Sequence, residues 1–394
     1  MRVLIVSYLA PPTGGPRSAR VANVGHALLS RGHQVEVLSV DRGESDHHLE
    51  AKMSGARFVR VAPGILDRLA RRKPSTSTTA TRTTISRSLA SRLINVLVFP
   101  DRQIEWLFPA LLKQKKLHRP DLVLSFCPYY SSAIVGHLLA KQWHCPHVVD
   151  YGDPWSFRVN NDMPSVRRQI DYYVERAVHQ YASGSIVNTQ PQAELMKRSF
   201  PQSKVVLIPN GFDPNDYLEE TELNSDELRH LGALYEIRLS LSPMGEAIQS
   251  SKCFNRLVTY GDVFHVDLPP WIERRPSVSF AESIALMQSA KALVVLGNQG
   301  ALQIPSKLYS YLGARRPILA IVESDADPMF SLGLGPHVVI VKNTAAAIRM
   351  GLERVAAFDR QIMRPQEYGW DTLGAKYVQV LAELEQGKPA FLHL

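Results

Sequence analysis

Short apolar runs alternate with segments of helical period along almost the whole chain, starting with residues 3–7 and the helix pattern behind them. Runs that are apolar throughout, rather than at every second residue, belong to strands buried on both faces. Strands separated by helix-length connections pair in parallel. Strands are expected at 3–7, 34–40, 57–61, 122–126, 146–151, 184–189 and 204–209, with helices at 18–31 and 166–182 among the connections. A polar stretch over 213–226 closes this set. Runs at 228–234, 256–260, around Val278, and at 292–296, 318–322 and 337–342 form a second set, with helices expected at 283–289 and 306–312. A last helix over 372–386 carries Leu373, Tyr377, Val380 and Leu381 on one face. The expected fold class is α/β, with two doubly wound Rossmann-like halves.

At 394 residues there is chain enough for two domains with separate cores. Apolar residues make up 45% and charged residues 21%, a globular balance. No apolar run reaches the ~18 residues of a spanning helix. The chain opens directly into its first expected strand, without the pattern of a secretory leader. Cys127, Cys145 and Cys253 show neither metal-ligand spacing nor a disulfide framework, so they are expected to be small core residues in a reducing compartment. No metal site is expected from the histidines, and the expected location is the cytoplasm.

The net charge of +8 is concentrated: between Asp67 and Arg119 stand twelve Lys and Arg against three acidic residues, a net of +9. Such a segment suits anionic lipid headgroups or a phosphate-bearing acceptor, which would place the protein peripherally at the inner face of a membrane. Nucleic acid is set aside, because the segment lacks the aromatic interleaving of a stacking platform. Ile85, Leu89, Leu93, Ile94 and the apolar run ending at Phe99 mix with Arg87 and Arg92 as in an amphipathic interfacial helix. A solvated loop and ordinary core burial account for the same residues.

Several motifs sit where strands hand over to helices. Pro11-Pro12-Thr13-Gly14-Gly15-Pro16 links the first strand to its helix, and paired glycines let backbone approach a ligand closely. No G-x-G-x-x-G pattern occurs, which argues against a dehydrogenase. Ser125-Phe126-Cys127-Pro128-Tyr129-Tyr130 and Asp150-Tyr151-Gly152-Asp153-Pro154-Trp155 follow two later strands. Ile208-Pro209-Asn210-Gly211-Phe212-Asp213 precedes the polar linker, and Asn-Gly there suggests a positive-φ turn. Gly232-Ala233-Leu234-Tyr235-Glu236-Ile237-Arg238 opens the second set. Ile304-Pro305-Ser306-Lys307-Leu308-Tyr309-Ser310-Tyr311-Leu312 combines a turn, a Ser-led helix start and a lysine, a combination that suits a phosphate. Each admits a plainer account as a turn, a cap or a buried strand.

Taken together, these segments resemble the GT-B glycosyltransferases, above all glycosyltransferase family 4, over nearly the full length. The resemblance implies two Rossmann-like domains facing across a cleft, 1–212 on the acceptor side and 213–368 on the nucleotide-sugar side, with 369–394 crossing back as a helix. It implies a hexosyltransferase that moves a sugar from a nucleotide-diphosphate donor to a hydroxyl acceptor, such as a glycan, a glycolipid or another cell-surface or secondary-metabolite acceptor. Transfer would be retaining and metal-independent, with no cofactor besides the donor substrate, as in polysaccharide biosynthesis. Donor contacts are implied at Gly14, Gly15, Arg17, Tyr130, Arg238, Pro305, Ser306, Lys307, Leu308 and Ser310, with Arg20 also within reach of a phosphate. Acceptor contacts are implied at Asp150, Asp153 and Trp155, and catalysis at Asp153, Arg238 and Lys307.

The chain departs from the family pattern in three places. Tyr130 stands where a histidine is usual, which leaves a phenol to donate a hydrogen bond to the sugar. Gly152 replaces an arginine, which removes one positive group and opens space. Leu302 and Ser310 replace two glutamates, the second of which usually binds the nucleotide ribose; a serine offers one weaker bond, worth about 1 kcal/mol. The alternative left by the last departure is a non-catalytic sugar- or partner-binding protein that kept the fold.

Overall fold

The computed structural model describes residues 1–43, 47–65, 67–68, 98–157, 165–219, 225–235, 239–264, 269–298 and 300–386. The chain forms two compact units, Met1–Ile208 with Gly374–Leu394, and Pro209–Leu373.

In the first unit the elements run β1 (Arg2–Val6), α1 (Pro16–Leu29), β2 (Gln34–Val40), α2 (His47–Lys52), β3 (Arg57–Val61), α3 (Leu107–Leu112), β4 (Leu122–Cys127), α4 (Ser131–Trp143), β5 (His147–Tyr151), α5 (Ser165–Tyr181), β6 (Gly184–Val187), α6 (Gln190–Ser199) and β7 (Val205–Leu207). The strands form one parallel sheet in the order β3-β2-β1-β4-β5-β6-β7. Val3 to Val6, all of β4 and all of β5 are buried, as expected of central parallel strands. The strand order reverses between β1 and β4, and ligands of such sheets lie beyond the carboxyl ends of the strands at that point.

The second unit contains β8 (Leu228–Leu231), β9 (Leu234–Tyr235), α7 (Ser242–Ser250), β10 (Leu257–Tyr260), β11 (Val263–Phe264), β12 (Ile272–Arg275), α8 (Phe280–Gln288), β13 (Ala292–Leu296), α9 (Ser306–Gly313), β14 (Ile318–Val322), β15 (Val338–Lys342) and α10 (Ala345–Ala356). Its main sheet is parallel in the order β12-β10-β8-β13-β14-β15, and the reversal falls between β8 and β13. Side chains of β14 alternate between two cores. Ile318, Ala320 and Val322 pack with α8 and α9, whereas Leu319 and Ile321 pack with α7 and α10. Both faces are therefore covered. The last helix, α11 (Trp370–Gln386), starts in the second unit, and from Gly374 onward it belongs to the first.

The expected strand at Val278 is instead β12, a few residues earlier. Its polar sequence Ile-Glu-Arg-Arg hid it. It is an edge strand with one partner, and its charges pair with neighbours, Arg274 with Asp262 at 2.5 Å and Arg275 with Glu227 at 2.6 Å. Gly211 does not adopt positive φ. It is a close-approach glycine, because a Cβ there would stand 2.4 Å from the Tyr368 carbonyl oxygen. Cys127 and Cys145 are buried as expected, but Cys253 is exposed. The serine/threonine-rich stretch 73–84 and the apolar pattern 85–97 lie outside the described residues.

Candidate functional site

At the carboxyl end of β1, Gly15 takes φ 99° and N-caps α1, with Pro16 as the first helical residue. The helix thus begins two residues earlier than expected. No atom lies within 4 Å of where a Gly15 Cβ would be, so backbone conformation rather than crowding calls for glycine. Pro16 brings no N–H, and no side chain caps this helix start.

The first turns of α1 project Arg17 and Arg20 onto Asp150 at the end of β5. Arg20 Nε lies 2.9 Å and Nη2 2.8 Å from Asp150 Oδ2, while Arg17 Nη1 donates to Oδ1 at 3.1 Å. Tyr377 of α11 donates its hydroxyl to Oδ2 at 2.8 Å, and Arg20 Nη2 also reaches the Ile208 carbonyl at 3.0 Å. Asp150 is wholly buried. The acceptor contact expected of Asp150 is therefore corrected: its carboxylate is a neutralised hub joining α1, β5 and α11.

Gly152 does not leave open space either. Arg17 Nη2 lies 1.3 Å from where a Cβ at residue 152 would stand. A guanidinium from α1 fills the place beside β5, so the positive charge expected to be missing is supplied from another element. Arg17 keeps 13% side-chain exposure while its Nη1 stays on Asp150.

The loop after β5 is held from behind by α5. Trp155 Nε1 donates to Asp171 at 2.8 Å, and the Ser156 amide donates to Glu175 at 3.0 Å with its hydroxyl on the same oxygen. Arg167 faces Asp171 at 3.3 Å and donates to the carbonyls of Val98 and Pro100 at 3.0 and 2.6 Å. Arg167, Asp171, Glu175 and His179 recur every fourth residue and are all buried, an inward polar stripe outside the expected site residues. The regular spacing of four was the available signal.

Two more expected contacts are corrected in this loop. Trp155 is fully buried, with its indole stacked on Tyr130 at 5.3 Å, so it is a wall of the loop and not an acceptor surface. The Tyr130 phenol donates to the Pro154 carbonyl at 3.0 Å, so its proton is not available to a sugar. Asp153, between them, stays half-buried at the carboxyl edge.

In the second unit Lys307 is the second residue of α9. Its Nζ donates to the Ala233 carbonyl at 3.2 Å and approaches His230 Nε2 at 3.4 Å. His230 Nδ1 lies 3.0 Å from the Val294 carbonyl and donates to it, which leaves Nε2 as the acceptor toward the lysine. Burial, and then the charge of Lys307, lower the His230 pKa to about 3. Gly232, at φ 100°, makes room: a Cβ there would stand 2.7 Å from Lys307 Cε. Tyr311 of the same helix accepts the Leu231 N–H at 2.9 Å, which ties α9 to the end of β8.

The helix start itself differs from expectation. Pro305 is the N-cap and Ser306 the first helical residue, with no side-chain cap. Leu308 is a core residue whose N–H bonds the Pro305 carbonyl at 3.1 Å, so its side chain does not meet a donor. Ser310 is half-buried one turn after Ser306. Arg238 lies outside the described residues. Among the described residues no three His, Cys, Asp or Glu side chains form a metal-binding group.

The family pattern described as "Glycosyl transferase 4-like domain" matches residues 15–211. No curated protein matches the sequence. Among solved structures, sucrose-phosphate synthase from Thermosynechococcus elongatus is 16% identical, with 97% of this chain and 98% of that one covered and a TM-score of 0.63. HepE from Anabaena in complex with UDP is 13% identical, with 97% and 100% covered and the same TM-score of 0.63. UDP-GlcNAc 2-epimerase from Methanocaldococcus jannaschii is 12% identical, with 97% and 100% covered and a TM-score of 0.53. At these identities the likeness is one of fold, two Rossmann-like domains of GT-B type.

Proposed function

The chain belongs to the glycosyl transferase 4-like family of glycosyltransferases, and we propose that it moves a hexosyl group, with retention, from a nucleoside diphosphate sugar to the hydroxyl of a cell-surface glycan or glycolipid. A UDP-sugar is the first donor to test, because HepE, with the same fold, binds UDP and UDP-glucose. The observation that carries the reading is the Lys307 cradle: one cation, oriented by Ala233 and a neutral His230, at the carboxyl end of β8 beside the start of α9.

In the reaction the bond from the anomeric carbon to the diphosphate oxygen breaks, and a bond to the acceptor oxygen forms on the same face. The acceptor proton passes to the leaving diphosphate. Lys307, with Arg238, offsets the charge that builds on that leaving group, a role that needs no metal ion. Arg17 and the amides of Gly14 and Gly15 present positive charge and donors on the first unit, where Asp153 orients hydroxyls. Pro305 and Ser306 shape the start of α9, and Ser310 meets the nucleotide ribose through one hydroxyl.

The test is thermal stability against UDP-, GDP-, ADP- and TDP-sugars. One of them is expected to stabilise the protein, by about 2.7 kcal/mol at a hundredfold excess over Kd. Lys307→Ala is expected to weaken that ligand by about 10- to 100-fold, the worth of one charge-assisted bond. A flat response to every nucleotide sugar would overturn the reading.

The acceptor side is proposed to work at the inner face of a membrane. No helix among the described residues is long and apolar enough to cross one. Phe108 (74% exposed) and Leu112 (79% exposed) share one face of α3, a turn apart, and Lys113, Lys115 and Lys116 follow directly. Apolar anchors beside a basic cluster suit an anionic bilayer surface. Phe108→Ser with Leu112→Ser is expected to abolish sedimentation with phosphatidylglycerol vesicles while donor binding stays intact; unchanged sedimentation would remove this partner.

A further inference from the structure

Lys307 and Gly232 lie at the carboxyl ends of the second sheet. The opposite, amino ends of two neighbouring strands carry a separate cationic groove. Lys291 immediately precedes β13, and Arg315 and Arg316 precede β14 across a single proline. With Arg360 and the ring of Phe358 they line a groove of about 400 Å³, to which Glu219 and Asp359 also contribute. Four cations therefore face two carboxylates.

One of those carboxylates is already engaged. Glu219 bonds Arg315 at 2.9 Å and Arg364 at 2.6 Å. Among the described residues neither Lys291 nor Arg360 is ion-paired, and both line the groove. Arg316 is anchored through Nε on the Gln288 carbonyl.

The backbone fixes where Arg315 stands. Arg315 sits at φ 56°, in the left-handed region where a glycine or an asparagine would be less strained. His144 is the other described non-glycine residue with positive φ, and both close helices, His144 as the C-cap of α4 and Arg315 one residue after the C-cap of α9. This turn holds the Arg315 guanidinium on Glu219, so that carboxylate is met from within the groove while Lys291, Arg316 and Arg360 line the rest of it.

We propose that this groove binds a small phosphate-bearing anion, with its phosphate against Lys291, Arg316 and Arg360 and its remainder on Phe358. The site is distinct from the proposed donor contacts, because the two lie at opposite edges of one parallel sheet, the carboxyl end of β8 and the amino ends of β13 and β14. The shared ligand chemistry is a phosphate dianion, free or carried on an organic body.

Because a donor site would also take up phosphates, the experiment uses the full chain carrying Lys307→Ala. Titration calorimetry with inorganic pyrophosphate and, separately, adenosine monophosphate is expected to show saturable binding at physiological salt. Adding Lys291→Ala and Arg360→Ala should weaken it at least tenfold with the circular dichroism spectrum unchanged. Arg315→Gly, which takes the guanidinium away from Glu219, should weaken binding severalfold by leaving that carboxylate less neutralised in the groove. Tighter binding of the nucleotide would assign the ligand an organic body, and tighter binding of pyrophosphate an inorganic one. No saturable binding to Lys307→Ala, or equal binding after loss of Lys291 and Arg360, would overturn the site. Neither result depends on whether nucleotide sugars bind near Lys307.

Discussion

Asp150→Ala is expected to destabilise the first unit by about 3–5 kcal/mol, as when one partner of a buried ion cluster is removed. The loss would strand Arg20, which is 3% exposed, and unpin Arg17 and the Tyr377 hydroxyl. Two cations would then remain close together without the carboxylate that neutralises them. Urea unfolding read by tryptophan fluorescence measures the change, since Trp106 and Trp155 are both buried in this unit. Tyr377→Phe provides the scale, because it removes one hydrogen bond and should cost about 1 kcal/mol. An Asp150→Ala protein with an unchanged urea midpoint would mean that the cluster contributes nothing to the fold.

Acid should destabilise the protein well above the carboxylate range. His147 is fully buried and its pKa lies well below the ordinary value because of burial; burial also lowers His179 and His230 to about 3. In the unfolded chain each titrates near 6.5, so below that pH the unfolded state binds more protons. Stability is therefore fully present above pH 6.5 and falls as the pH drops toward the folded value. Each such histidine withdraws about 1.4 kcal/mol per pH unit in that window. His147 and His179 together would cost the first unit about 3 kcal/mol per unit, with His137, lowered to about 4, adding to it. Asp101 works the other way, since burial raises its carboxyl. Denaturant midpoints at pH 7.0 and 5.5 measure the slope, and His179→Gln should reduce it. A midpoint independent of pH across that interval would contradict the burial of these rings.

Much of the architecture was readable before any coordinates. β2 and β3 fall where the apolar runs put them, and α5 starts and ends within one residue of its expected bounds. Those elements were legible because double burial writes an unbroken apolar run into the sequence and because helix period survives in any amphipathic segment. The edge strand β12 and the helices α4, α7 and α10 were not assigned. β12 has one neighbour and needs no apolar face, and Ala345–Ala356 places only Ile348, Gly351, Leu352 and Val355 inward.

Around the site, the motifs indicated where residues stand along the chain but not what each side chain touches. Lys307 could be singled out because a lysine at a helix start has a chemical meaning of its own. That it rests on a neutral His230 above Gly232 depends on residues from β8 and α9 meeting. Asp150, Tyr130 and Trp155 read as polar or aromatic groups at strand ends, available to a ligand. Packing decided otherwise, because partners 16 to 227 residues distant claim their hydrogen bonds. The guanidinium beside Gly152 comes from Arg17, a substitution across two elements that no local motif records. Sequence alone therefore determined most of the strands, several of the helices and the position of the loops between them, since those follow from local period and turn residues. Tertiary structure alone decided which charges are neutralised in the interior and which stay exposed, since burial and pairing depend on contacts between residues far apart in the chain.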